Sequence, residues 1–177
     1  ASAPFRNANA MAQRRDGVWL LQRGGTIVEI NATGKNSRIL AAWSLGFVDL
    51  ARTADEMVLL SADHSLYRLA DDGTVATIAT PRMVLSGAQN LAVGAQALYS
   101  VNNLGIVTRL RDGFMQPFTG GFYNIVDIEA DNDGNVYVVD ASTRALGVAS
   151  SDGYRQVAIG FDIPFSVTVL SGQSILV

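Results

Sequence analysis

Short apolar runs separated by polar turns recur along the whole chain. VWLL (18–21), MVLL (57–60), ALYS (97–100), VYVV (136–139) and SILV (174–177) start 39, 40, 39 and 38 residues apart. A second series follows the first four: TIVEI (26–30), SLYRL (65–69), IVTRL (106–110) and ALGVA (145–149). A third precedes all five: ANAMA (8–12), FVDLA (47–51), NLAVG (90–94), IVDIE (125–129) and SVTVL (166–170). Turn glycines at Gly34, Gly73, Gly113 and Gly153 keep the same register, and looser segments follow them: SRILAA, TVATIA, MQPFTG and RQVAIG.

These segments are too short for helices and are rich in β-branched and aromatic residues, so they predict strands. Four strands in about 40 residues is the size of one propeller blade. Segments such as NVYVV are apolar at both alternating faces, as expected of strands covered on both sides by neighbouring blades. The pattern predicts an all-β propeller in one domain over residues 1–177. Its blades span roughly 7–43, 46–81, 88–121 and 123–161, with a half blade at 164–177. Four and a half blades leave a ring open, and an open ring exposes strand edges. The pattern is read first as part of a ring of five to seven blades. The alternatives are closure through the open edges of a second copy, or a strand contributed by residues 1–6.

Composition narrows the partners. The chain is 49% hydrophobic and 16% charged, as in a globular protein. No apolar run reaches 18 residues, so no membrane-spanning helix is expected. A net charge of -3, with both signs interspersed, argues against nucleic acid. There is no Cys, which removes disulfides, thiolate catalysis and Cys-ligated zinc. The opening ASAPFRNANA has no apolar signal core. It fits either a mature end left by signal cleavage or an arbitrary start, and the first favours a secreted or periplasmic location.

One stretch poses a chemical question. From Glu129, the acids Asp131, Asp133 and Asp140 with Gly134 match the oxygen-ligand and glycine places of an EF-hand calcium loop. Yet the equivalent places in other blades are short polar or small connections (RRDG, TADE, VGAQ, LSGQ), position 1 is Glu, and no helices flank the loop. A hairpin turn between the first two strands of blade four is the expectation.

The segment NIVDIEADNDGNVYVVDAS (124–142) resembles repeats of the NHL and gluconolactonase (regucalcin)-like propellers. DEMVLLSADHSLYRLADDG (55–73) and QALYSVNNLGIVTRLRDG (96–113) follow the same hydrophobic pattern. The NHL branch implies a platform for proteins, sugars or RNA. The gluconolactonase-like branch implies a lactonase, hydrolase or lyase working at a divalent metal (Ca²⁺, Zn²⁺ or Mn²⁺) in the channel. In that branch Asn124 and Asp140 match two ligand places. Its glutamate has no counterpart in FRNANAMAQ, and the matching strand end of blade one is Gln22.

No other motif carries a reaction. His64 is the only histidine and is expected on a surface loop; Asp63 beside it points the other way in an extended chain. No G-x-S-x-G, P-loop or dinucleotide fingerprint occurs. The loops joining second to third and fourth to first strands are richer. They hold Arg23, His64, Asn102, Asn103, Asp140 and Arg144, with Trp43, Arg82, Met83, Phe122, Tyr123, Phe161 and Phe165. Aromatics, Met and Arg on loops are what interfaces favour. The expectation is therefore a non-catalytic binding or scaffolding propeller, without a cofactor. It presents Asn102, Asn103, Phe122, Tyr123 and Arg144 to a protein or carbohydrate. The alternatives are the metal-dependent enzyme and a self-assembling propeller.

Overall fold

The computed structural model describes residues 10–14, 19–23, 25–31, 33, 37–42, 46–53, 56–81, 87–94, 97–170 and 174–177. Strands β1 (Ala10–Gln13), β2 (Trp19–Arg23), β3 (Thr26–Ile30) and β4 (Ser37–Ala42) form an antiparallel sheet in chain order. Strands β5 (Phe47–Arg52), β6 (Met57–Ser61), β7 (Leu66–Leu69) and β8 (Val75–Pro81) repeat it. So do β9 (Ala88–Val93), β10 (Leu98–Asn102), β11 (Val107–Arg111) and β12 (Phe114–Thr119). The fourth sheet is β13 (Ile125–Ala130), β14 (Val136–Asp140), β15 (Ala145–Ser150) and β16 (Gly153–Ile159). Strands β17 (Thr168–Leu170) and β18 (Ser174–Leu176) pair as a two-stranded sheet. There is no helix among the described residues, hence none long and apolar enough to cross a membrane.

The first strands pack in succession, β1 on β5, β5 on β9, β9 on β13 and β13 on β17, as the inner strands of propeller blades do. Cores lie in the seams between blades. Met57 and Leu59 of β6 face blade one with Ile27, Phe47 and Leu50. Val58 and Leu60, alternating with them, face blade three with Leu91, Leu98 and Met115. Tyr99 and Val101 of β10 meet Ile128, Val136 and Val138 of blade four. Tyr137 and Val139 of β14 face Val167 ahead of β17. Successive side chains point to opposite faces of a strand. A second strand clamped between two seams therefore has no polar face, and this accounts for the continuous apolar runs.

One pairing is not a property of the single repeat. The outer strands β8 and β12 touch in a short parallel bridge, Thr80 with Phe114 and Pro81 with Met115, which joins blades two and three into one eight-stranded sheet.

Candidate functional site

The loops joining second to third strands share one local design. Ser61, Asn102 and Asp140 stand at the ends of β6, β10 and β14. In blade three Asn102 Oδ1 accepts hydrogen bonds from Leu104 N (3.0 Å) and Ile106 N (2.9 Å). In blade two Asp63 accepts from Ser65 N (3.0 Å) and from the Ser61 hydroxyl. In blade four Asp140 accepts from Ser142 N (2.9 Å), Thr143 N (3.2 Å) and Asn124 N (3.3 Å) at Oδ1, and from Tyr123 N (2.8 Å) at Oδ2. Short side-chain acceptors bonding the backbone a few residues on are what Asx turns are made of. Each of these loops also contains one left-handed residue: His64 (φ 67°), Gly105 (φ 70°) and Arg144 (φ 54°).

This design sets where the expected site residues fall. Asn102 is buried and caps its own loop. Phe122 is 6% exposed, edge-on to Tyr154 at 4.7 Å between ring centroids, in the seam core of blades three and four. Its ring is thus packing, because the backbone around it lies against loop 102–106. Asn103 and Tyr123 are exposed. Arg144 donates to the Phe161 carbonyl (2.6 Å) and pairs with Asp162 (2.8 Å), which ties the loop of blade four to the next connection. Phe161 packs half-buried on the last seam, and Phe165 is exposed. Trp43, Arg82, Met83 and the side chains of Gln22 and Arg23 lie outside the described residues, as do Asn7 and Asn9.

His64 departs from expectation. It is fully buried in the seam between blades two and three, with Nδ1 2.8 Å from Ser100 Oγ, itself 2.7 Å from Thr108 Oγ1. The left-handed turn folds the imidazole back onto blade three, which a short polar loop sequence does not reveal. Burial pushes its pKa down to about 4, against the opposing pull of Asp63.

The stretch 131–140 is a hairpin. Asp131 accepts from Asp133 N, Asn135 N, Asn135 Nδ2 and the Tyr137 hydroxyl, at 2.9, 2.9, 2.8 and 3.2 Å. Tyr137 pairs across the ladder with Glu129, whereas Asp140 pairs with Ile125 at the far end of the strand. At about 3.3 Å per residue, Asp140 lies roughly 10–15 Å from the turn. The spacing of a calcium loop does not survive in an extended chain. Of the pair Asn124 and Asp140, Asp140 serves three amides through Oδ1 and one through Oδ2, and Asn124 is exposed. Among the described residues no group of three His, Asp or Glu side chains is placed to hold a metal ion.

A second repeated feature went unread in the sequence. Asp49 and Asp127 occupy one register position on the inner strands, and Asn90 takes it in blade three. Each follows a β-bulge at the preceding residue. Bulges re-aim side chains, and these reach the next blade. Asp49 accepts from Leu91 N (2.6 Å), Asp127 accepts from Val167 N (2.9 Å), and Asn90 Nδ2 donates to the Val126 carbonyl (3.5 Å). Burial pushes Asp49 up to about 6 and raises Asp127. Glu129 also rises to about 6 through burial, then through the charges of Asp127 and Asp49. A polar residue recurring every 37–41 positions inside an apolar strand was the available signal.

Large apolar side chains lie open on the loop face among polar ones. Leu104 (65% exposed) stands between β10 and β11, Tyr123 (77%) between β12 and β13, and Ile163 (73%) and Phe165 (76%) between β16 and β17. Gly105 lies so close to the Phe122 carbonyl that a Cβ there would overlap it, so the loops bearing Leu104 and Tyr123 touch through their backbones.

No protein-family model and no curated protein matches the chain. Solved structures do. Virginiamycin B lyase from Staphylococcus aureus superposes with a TM-score of 0.76 at 15% identity, over 99% of this chain and 64% of that one. A catalytically inactive histidine-to-alanine form of that lyase, with quinupristin, gives 0.71 at 14% identity, over 99% of this chain and 71% of that one. A gluconolactonase from Xanthomonas campestris gives 0.71 at 19% identity, over 94% and 66%. The chain thus spans about two thirds of the length of these proteins. At such identities the likeness is one of fold: this chain is built as a β-propeller of the type that streptogramin lyases and gluconolactonases share.

Proposed function

We propose that the chain is a non-catalytic binding propeller whose loop face receives a protein or carbohydrate partner. One observation carries this reading: Leu104 and Tyr123 stand exposed on two touching loops whose backbones are locked by Asn102, Asp140 and the Gly105–Phe122 contact. Large side chains held out on a rigid frame suit recognition, because little ordering is left to be done on binding. Ile163 and Phe165 extend the same face.

The neighbours supply the second reading, a metal-dependent lactonase, hydrolase or lyase. The lyase neighbour is inactivated by loss of a histidine. The only histidine of this chain is enclosed in a blade seam and held by Ser100, an arrangement that supports a structural part for it.

Peptide and glycan arrays probed with the native chain, Leu104→Ala and Tyr123→Ala test the first reading. The expected result is a ligand whose affinity falls at least about tenfold in Tyr123→Ala, while both variants keep the native melting temperature. Unchanged binding of every ligand in both variants overturns it. Melts with Ca²⁺, Zn²⁺ or Mn²⁺ are expected to leave the midpoint in place. A rise that disappears in Asn124→Ala, an exposed substitution, favours the metal enzyme. Sedimentation at high concentration separates a foreign partner from a second copy docking through open sheet edges.

A further inference from the structure

On the opposite end of the blades, a cleft of about 440 Å³ opens between blades three and four. Its two walls differ in charge. Blade three supplies Arg109 and Arg111 from β11; blade four supplies Asp133, Asn135 and Asp152 from its turns. Ser150 and Ser151 add hydroxyls.

Arg109 is the informative residue. Its guanidinium lies 4.8 Å from the centroid of the Phe118 ring. Phe118 leans on Tyr99 at 5.4 Å, and the Tyr99 hydroxyl donates to the Gly134 carbonyl of blade four (3.4 Å). This row of contacts runs from one wall to the other and seats the cation in place. Arg111 pairs with Asp112 (3.7 Å), and Arg144, Arg38 and Arg68 all have carboxylate partners. Among the described residues, Arg109 makes no ion pair, although it is half-buried. A partly desolvated cation held against a ring lacks the counter-charge that would stabilise it. The planar fork of a guanidinium matches a carboxylate. On the facing wall, Asp133 and Asp152 are exposed acceptors.

We infer that this cleft binds a small carboxylic acid carrying hydrogen-bond donors at its other end, with the carboxylate on Arg109 and the donors on Asp133 and Asp152. Sugar acids and amino acids share that chemistry: hydroxyls in one case and an ammonium in the other face the acidic wall. The site is distinct from the loop face, being built from the turns at the other end of the same blades.

The test is titration of the ¹⁵N-labelled chain followed by amide shifts, with glucuronate in one arm and serine in another. Glucose lacks the carboxylate, acetate lacks the donors, and sodium chloride at matched ionic strength controls for screening. Saturable shifts at Gly134, Asn135 and Ser151, absent at Tyr123 and Phe165, are expected in one arm, which then names the source. Arg109→Gln, which keeps a side chain over Phe118, is expected to weaken that binding at least about tenfold, the loss of a charge-assisted pair. The inference fails if neither acid moves the cleft amides at millimolar concentration. It also fails if acetate or chloride moves them equally, or if Arg109→Gln binds as the native chain does.

Discussion

At the scale of single residues, the buried titratable groups hold blades together and set opposing dependences on pH. Asp49 ties blade two to blade three through Leu91 N, and its folded-state pKa of about 6 lies above the ordinary 3.8. A raised carboxyl pKa means that the folded state binds the proton more tightly. The stabilisation is complete below about 3.8 and is lost as the pH rises through about 6. His64, lowered to about 4, works the other way: its contribution is present above 6.5 and is lost as the pH falls through about 4. Between pH 7.5 and 5 the two groups oppose each other, so Asp49 is isolated by comparison: on acidification the melting temperature of the native chain should rise relative to that of Asp49→Asn. An unchanged profile in that variant refutes the assignment. The NMR signals of the His64 ring should remain those of a neutral imidazole down to about pH 5.

At the scale of elements, the connections after β6, β10 and β14 are stiffened by their own side chains. Asp140 serves four amides from a buried position, so Asp140→Ala leaves several donors without partners. A loss of about 2–4 kcal/mol is expected in denaturant unfolding, the range for a buried, charged acceptor. Gly105 is required twice over, by φ 70° and by its contact with the Phe122 carbonyl. Gly113 shares the positive φ (76°) but has open space around it. Gly105→Ala should lower the melting temperature well beyond Gly113→Ala, whose cost is about 1 kcal/mol. Equal shifts would mean that the two loops do not touch.

At the scale of the whole molecule, stability is distributed over seams that each involve two neighbouring blades. Leu59 fills the seam of blades one and two, and Ile128 that of blades three and four. Each truncation to Ala should cost about 2–5 kcal/mol. Because the seams share no side chain, the double variant should equal the sum within about 0.5 kcal/mol. Strong coupling would indicate that the blades respond as one body.

The blade follows from the local pattern of residues. A period near 40 with strands apolar on both faces has few physical solutions, since only stacked sheets cover both faces of so many short strands. NVYVV and MVLLS are strands for this local reason, and DNDG is a hairpin because Asp131 satisfies the turn amides itself. The fate of polar and aromatic residues on the loops depends instead on how the blades pack. Asn102, Phe122 and His64 read as surface chemistry because polarity and loop position are local properties. Whether such a side chain faces solvent depends on the turn's handedness and on the neighbouring blade, some 40 residues away in the chain. Arg109 shows the converse. Nothing in IVTRL marks it, and only the approach of Phe118, Tyr99 and the turns of blade four leaves its charge without a partner in a cleft.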